Sequence, residues 1–472
     1  MLKGLEISEV SLSDLEFTSR LDPEYYRKEF IISESTLKTK KHERLEVLAN
    51  FLIGPFGSSF DTENYEVSET ASYRYIRGRD VKPYFLMNDD SRFLPEQDFK
   101  RLEKYSLKEN DILISVVGTL GNACIILKND VPAIFSNKST VLRNITVNPY
   151  YILTYLNCKY GKNLLLRKTR GAIQTGLNLD DLKSLDVPTF SKSFQQQIED
   201  LVKSAHSTQE TSKTLYQEAE NLLLSELGID ESVFKVTKNE VVANVKSFAD
   251  FENSWRLDAE YYQPKYEILE TVIYNYGFVT LSSIITNVST GFPYESANFC
   301  SNGIPLIRIS NISKNGLNLN TVAKITSEDA YLSPKDKAEK GDVLISMSGS
   351  IGLSCVIREE IQAFVNQRIM KFRPNRFDAD VLSLIINSEI VRKQLERVGT
   401  GGVQTNLSIT DILNVKIPNL SILLQEDISN KIQESFSLKT KSEQLLSLAK
   451  RAVEIAIEEG EEVAVAWVRE NE

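Results

Sequence analysis

Two near-copies of one unit lie head to tail in this chain, and no other feature restricts its fold as tightly. Arg20-Leu21-Asp22-Pro23-Glu24-Tyr25-Tyr26 returns as Arg256-Leu257-Asp258-Ala259-Glu260-Tyr261-Tyr262. Asp111-Ile112-Leu113-Ile114-Ser115, followed by Gly118-Thr119-Leu120-Gly121, returns as Asp342-Val343-Leu344-Ile345-Ser346, followed by Gly349-Ser350-Ile351-Gly352. Gln174-Thr175 and Pro188 return as Gln404-Thr405 and Pro418. The offsets drift slowly (256−20 = 236, 349−118 = 231, 404−174 = 230), which marks a few loop-length changes inside one shared fold. Copies of this size can each bury a core of their own. A chain with approximate two-fold character suits a target with two half-sites.

The chain has 472 residues, 42% of them hydrophobic, as in an ordinary globular protein of two to four domains. No apolar run approaches the ~20 residues that span a bilayer. Met1-Leu2-Lys3-Gly4-Leu5-Glu6 lacks the basic and apolar regions of a signal peptide. The expectation is therefore a cytoplasmic protein with no membrane contact. Cys124 and Cys355 are repeat mates, each three residues after the second glycine of its turn, which points to a small buried side chain. A disulfide is the weaker reading in a reducing compartment. His42 and His206 are not duplicated, and no set of about four nitrogen and sulfur ligands stands in register for zinc. Neither a metal nor a cofactor is expected.

A net charge of −10 argues at first against nucleic acid, but distribution matters more than the sum. Between Asp130 and Asp180 there is no acid, and the window holds Lys138, Arg143, Lys159, Lys162, Arg167, Lys168 and Arg170. Copy two repeats this more weakly, with Arg368, Lys371, Arg373 and Arg376 between Glu360 and Asp378. The acids gather elsewhere, above all in residues 454–472.

Each copy reads in one order: a short lead, the box from Arg20 or Arg256, a mixed region of short β-branched runs, then a long helix. Residues 72–77 and 304–309 read as matching strands, as do 111–115 and 342–346. Apolar residues at steps of three and four, from Phe194 to Leu223 and from Leu424 to Ala456, give each helix one apolar stripe. Gly228 and Gly460 are the expected stops. A helix of about 35 residues is about 50 Å long and must cover its stripe. The simplest partner is the other copy's helix, packed antiparallel as a spacer; the alternative is folding back on its own globular part. The expected fold is α+β: two tandem globular domains (1–190 and 229–420), two long antiparallel helices (191–228 and 421–460) and an acidic tail (461–472).

The glycine turns after residues 115 and 346 could cradle a phosphate, but no Walker lysine follows and no Gly-x-Gly-x-x-Gly opens a helix. A tight strand-to-strand turn is the plainer reading. Arg167-Lys168-Thr169-Arg170 and Arg397 stand beside flexible glycines and a duplicated glutamine. Arginine can pair with guanine and glutamine with adenine. Bracing of the turn is the stronger reading for Gln174 and Gln404, and phosphate contact for Arg167, Lys168 and Arg170. Asn148-Pro149-Tyr150-Tyr151 is similar to the N-P-P-Y motif of amino-methyltransferases but lacks the second proline, and Asn-Pro opening a helix explains it better. The box carries an Arg-Asp pair and two tyrosines; its main reading is structural, with docking of a partner as the lesser one. No catalytic triad or nuclease carboxylate set is present.

In their doubled order these residues resemble the specificity subunit of type I DNA restriction-modification systems. The signature runs Gly341-Asp342-Val343-Leu344-Ile345-Ser346, Gly349 to Gly352, Gly402-Val403-Gln404-Thr405-Asn406-Leu407-Ser408, Ile417-Pro418, then Gln425 with Ile428. Copy one repeats it from Asn110 through Gly118 to Gly121, Ala172-Ile173-Gln174-Thr175-Gly176-Leu177, Val187-Pro188, and Gln195 with Ile198. Copy one departs at Asn110 and at residues 176–178. The resemblance implies two target recognition domains joined by two conserved helices. Each domain would read half of an asymmetric, interrupted site in double-stranded DNA. The helices would set the spacing and dock modification (methyltransferase) subunits, which carry S-adenosylmethionine, while restriction subunits would translocate and cut. This chain would be non-catalytic. The DNA-contacting residues expected are Arg77, Arg79, Lys138, Arg167, Lys168, Arg170, Arg308, Arg368, Lys371 and Arg397. A targeting subunit of a methylation-only system, or a scaffold without DNA binding, are the other readings.

Overall fold

In the strand Ile112–Ser115 the side chains alternate between two cores, and that alternation organises the whole unit. Ile112 and Ile114 join a core shared with helices, while Leu113 joins Ile76, Cys124, Phe135 and Val141 in a core between sheets. Copy two does the same: Val343 and Ile345 face the helical core, and Leu344 meets Ile307, Cys355, Val365 and Ile369. Cys124 and Cys355 are thus buried at equivalent points, as free thiols. The structure, a computed structural model, describes residues 8–13, 15, 20–60, 65, 73–89, 91–170, 175–229, 244–399 and 406–472.

The chain divides into two units, Met1–Gln209 with Thr440–Glu472 and Glu210–Lys439. The first holds an antiparallel sheet ordered Asn50–Ile53, Ser139–Arg143, Ile112–Ser115, Ala123–Ile125. Beside it lies a smaller sheet in which Arg74–Ile76 pairs parallel with Ala133–Phe135. The second unit repeats both: Ile285–Ser289, Ile369–Pro374, Val343–Ser346 and Ser354–Val356 in one sheet, and Ile304–Ile307 parallel to Ala363–Val365 in the other. Helices Pro149–Asn157 and Ala379–Asn387 pack on the large sheets, opened by Asn148 and Asp378. The Asn148 carboxamide accepts from the backbone of Tyr150 and Tyr151, and Tyr151 donates to the Pro188 carbonyl at 2.6 Å from a buried position. The Asn-Pro pair is therefore a helix cap.

The long helices run Lys192–Glu226 and Ile422–Glu458. The first ends in a Schellman turn, with Gly228 N–H donating to the Ser225 carbonyl and Ile229 N–H to that of Leu224. In the second unit Ser212 and Ser435 exchange hydroxyl bonds to each other's backbone carbonyls at 2.7 Å, and Lys431 pairs with Glu218, so the two helices run antiparallel. In the first unit Ser442, the mate of Ser212, donates to the Ala205 carbonyl at 2.7 Å.

The unit boundaries fall inside both long helices, not at the domain limits read from the sequence. The cause is packing. Phe194, Ile198 and Val202 join the first unit's core, whereas Ala219 and Leu223 of the same helix join the second's. Leu424, Ile428 and Ile432 likewise lie in the second core, and Ala452, Val453 and Ile457 in the first. Each stripe is thus covered by its own copy, by the facing helix and by the other copy in turn. The expected acidic tail is instead a helix, Glu461–Asn471, whose Ala464 and Val468 are fully buried in the first core and whose Glu461 bonds Ser191. Its glutamates are numerous, but alanine and valine four residues apart give it an apolar face.

Candidate nucleic-acid interface

Strands of both sheets end at one rim in each unit. In the first, Ser136 N–H donates to the Ile76 carbonyl, Val116 N–H to that of Lys138, and Leu177 N–H to that of Val116, at 3.0, 2.9 and 3.0 Å. Arg170 and Gly176 exchange backbone bonds beside them. In the second, the same ties join Asn366 to Ile307, Met347 to Arg368 and Leu407 to Met347, each at 2.9 Å. The glycine turns stand on this rim. Ser115 Oγ donates to the Thr119 carbonyl and accepts from Asn122 N–H, and Ser346 does the same with Ser350 and Leu353. Gly118, Gly121, Gly349 and Gly352 all take left-handed backbone, so the tight turn needs them.

The rim collects some of the expected cations and rejects others. Lys138 and Arg368 are repeat mates, both exposed in the three-residue turn between two buried strands. Arg79 and Arg170 are also exposed, at 56% and 57% of their side chains, although each lies within ion-pair reach of an acid, Asp80 and Asp181 respectively. Arg77 holds Asp80 through two nitrogens and closes the turn after its strand. In its mate Arg308 the backbone N–H donates to the neutral Asn311 instead; the side chain is half-buried, with its guanidinium 5.8 Å from the Phe299 ring centre and its Nε unpartnered.

Arg167, Arg397 and Lys371 are corrections. The Arg167 side chain is 9% exposed, donates to the Tyr25 carbonyl and to Glu34, and lies 4.2 Å from the Tyr25 ring centre. Arg397 makes the same set with Tyr261 and Glu270, 4.4 Å from the ring. Against the burial that opposes ionisation, these guanidinium groups hold Glu34 and, with Lys416, Glu270 below the usual carboxylate range. Lys371 is buried against Asp342. Lys168 is half-buried, its ammonium on Ser184 Oγ at 2.8 Å, and burial lowers its pKa. Each of these four side chains is engaged by protein groups within the fold. Part of the charge of each acid-free window is also neutralised in space: Arg143 pairs with Asp111 and Arg373 with Asp342. Gln174 and Gln404 lie outside the described residues.

The box tyrosines seat those arginines. Arg20 grips Asp22 with two 2.6 Å bonds, Tyr26 donates to the Arg20 carbonyl, and Arg256, Asp258 and Tyr262 repeat the arrangement. Gln195 and Gln425 accept from Asn148 and Asp378 N–H and donate to the Phe190 and Leu420 carbonyls, tying each long helix to its sheet-covering helix. Asn366 and Gln367 stand beside Arg368 in the same turn, between two buried strands. Among the described residues no group of three His, Cys, Asp or Glu could hold a metal ion, and no helix is long and apolar enough to cross a membrane.

A family model described as the type I restriction modification DNA specificity domain matches residues 58–221 and again 274–447. The chain is 25% identical over 137 residues to the type I restriction enzyme EcoBI specificity subunit of Escherichia coli, 29% of each chain. It is 21% identical over 179 residues to the MjaVIII specificity subunit of Methanocaldococcus jannaschii, covering 36% of this chain and 42% of that one. The matches thus span less than half the length of these relatives. Among solved structures, the S subunit of a type I restriction-modification system from M. genitalium aligns over 89% of this chain and 95% of its own, at 15% identity and a TM-score of 0.39. The HsdS subunit from Thermoanaerobacter tengcongensis aligns over 89% and 97%, at 14% and 0.29. Matched twice, once in each copy and over most of its length, the chain belongs to the type I restriction-modification DNA specificity family.

Proposed function

We propose that this chain is the non-catalytic DNA-reading subunit of a type I restriction-modification complex, each unit reading one half of an interrupted, asymmetric site. The observation that carries the reading is the doubled rim. The same turn bears an exposed cation in both units, Lys138 in one and Arg368 in the other, beside glycine turns of one geometry. Exposed side chains on such a rim hold the duplex through its phosphates and read its base edges, and those that differ between the two units distinguish the half-sites. The long helices, each contributing to both units, set the half-site spacing. They dock modification subunits, which bring S-adenosylmethionine and adenine methylation; restriction subunits bring translocation and cleavage.

The test is methylation mapping of DNA from cells with and without this chain, alongside its modification partner. One interrupted motif that appears only with the chain supports the reading. Unchanged methylation with an active partner would sink it and leave a scaffold.

A further inference from the structure

The turn at residues 366–368 is held from both sides. A Cβ on Gly291, which has a φ of +72°, would stand 2.1 Å from the Asn366 carbonyl oxygen, so only glycine permits this approach. Gln367 N–H donates to the Phe292 carbonyl at 3.0 Å, and the Arg368 carbonyl accepts from Met347 N–H at 2.9 Å. The backbone is therefore fixed, while the side chains of Gln367 and Arg368 are exposed with no partner among the described residues. Arg368 also takes a φ of +67°, a conformation that glycine or asparagine adopts more easily. The fold does not ask for an arginine there, and strain of this kind gathers at functional positions.

Copy one supplies the contrast. Its turn carries Asn137 and Lys138 where copy two carries Gln367 and Arg368. Asp80, which neutralises Arg77, is replaced by Asn311 beside Arg308 (311−80 = 231, 308−77 = 231). Arg308 directly follows Ile307, whose carbonyl accepts from Asn366 N–H, so its backbone adjoins the turn, while its guanidinium lies 5.8 Å from the Phe299 ring centre. A pinned backbone with different side chains in the two copies is the arrangement that reading two different half-sites requires.

Resting on the DNA-reading function above, we propose that Gln367 and Arg368 determine which second half-site is read, with Arg308 as their phosphate anchor. Arg368 takes the O6 and N7 edge of a guanine in the major groove, and Gln367 a neighbouring base edge.

The test uses the full chain assembled with its modification subunits, and duplexes carrying each single base change across the mapped site. R368G suits the local backbone, so its unfolding temperature should equal or exceed that of the parent protein. It should lose discrimination at one guanine of the second half-site by on the order of ten- to a hundredfold, with the first half-site read as before. R308A should weaken every duplex alike and lower the salt slope by about one. Unchanged discrimination in R368G overturns the proposal. So does an equal loss on all duplexes, which would make Arg368 a phosphate contact. A parent complex that selects no interrupted motif overturns both this inference and the function on which it rests.

Discussion

At Arg167 and Arg397 a cation that the sequence places in a basic window is used inside the fold. Each is stacked on a box tyrosine and bonded to a glutamate far earlier in the chain. Removing one partner of a buried pair strands the other charge, so R167A should destabilise the first unit by about 3 kcal/mol, read in chemical denaturation. The carboxylates add a pH signature. Glu34 and Glu270 are held below their ordinary pKa, so the stability they contribute is present above the unfolded glutamate value. It is lost as pH falls through the lowered folded value. Unfolding temperature should therefore drop more steeply on acidification in the parent protein than in E34Q/E270Q; parallel curves would contradict the clamp. The exposed cations behave differently. Neutralising Lys138 should weaken binding to all sequences alike and flatten the salt dependence by about one ion, with stability unchanged.

At the scale of elements, small residues control how the two long helices meet. Ser212 and Ser435 bond each other's backbone, which requires the helices to lie within one short side chain. A leucine at Ser435 forces them apart and strands the Ser212 hydroxyl, costing about 1–3 kcal/mol in the second unit. S435A, which keeps the size, should cost less, and equal losses would mean that packing is not the constraint. The terminal helix is as firmly attached. Val468 is fully buried, so V468D should cost about 3 kcal/mol or more and show as early unfolding of the first unit. A helix that frays at no cost to the unit would contradict its place in the core.

At the scale of the whole molecule, the duplication is carried down to single bonds. Ser212 and Ser442 are mates and make the same bond to a carbonyl of the facing helix, each in its own unit. If the helices set the half-site spacing, inserting one turn after both Gln209 and Lys439 should change the mapped spacer length, not the half-site sequences. Retention of the original spacer with full methylation would remove the ruler.

The repeat, the strand pairs and the helix stripes were all legible in the sequence. They depend on local periodicity, side-chain alternation of two or a stripe near three and a half, and on identical residues recurring in order. Asn148 as a cap and the glycine turns were legible for the same reason, since a cap or turn is settled within a few residues. Charge was not. The acid-free stretch from Asp130 to Asp180 was a property of one line of sequence, whereas an ion pair forms between residues far apart in it. Glu34, Asp111 and Asp342 reach their partners only after the sheets and helices are packed. The terminal helix was misread likewise, because its acids are counted by composition but its buried face exists only against another core. Duplicated elements and their order were thus determined by the sequence alone. Which cations remain exposed, and where each helix changes from one core to the other, was decided by the tertiary structure, because burial and charge pairing are properties of distance in space.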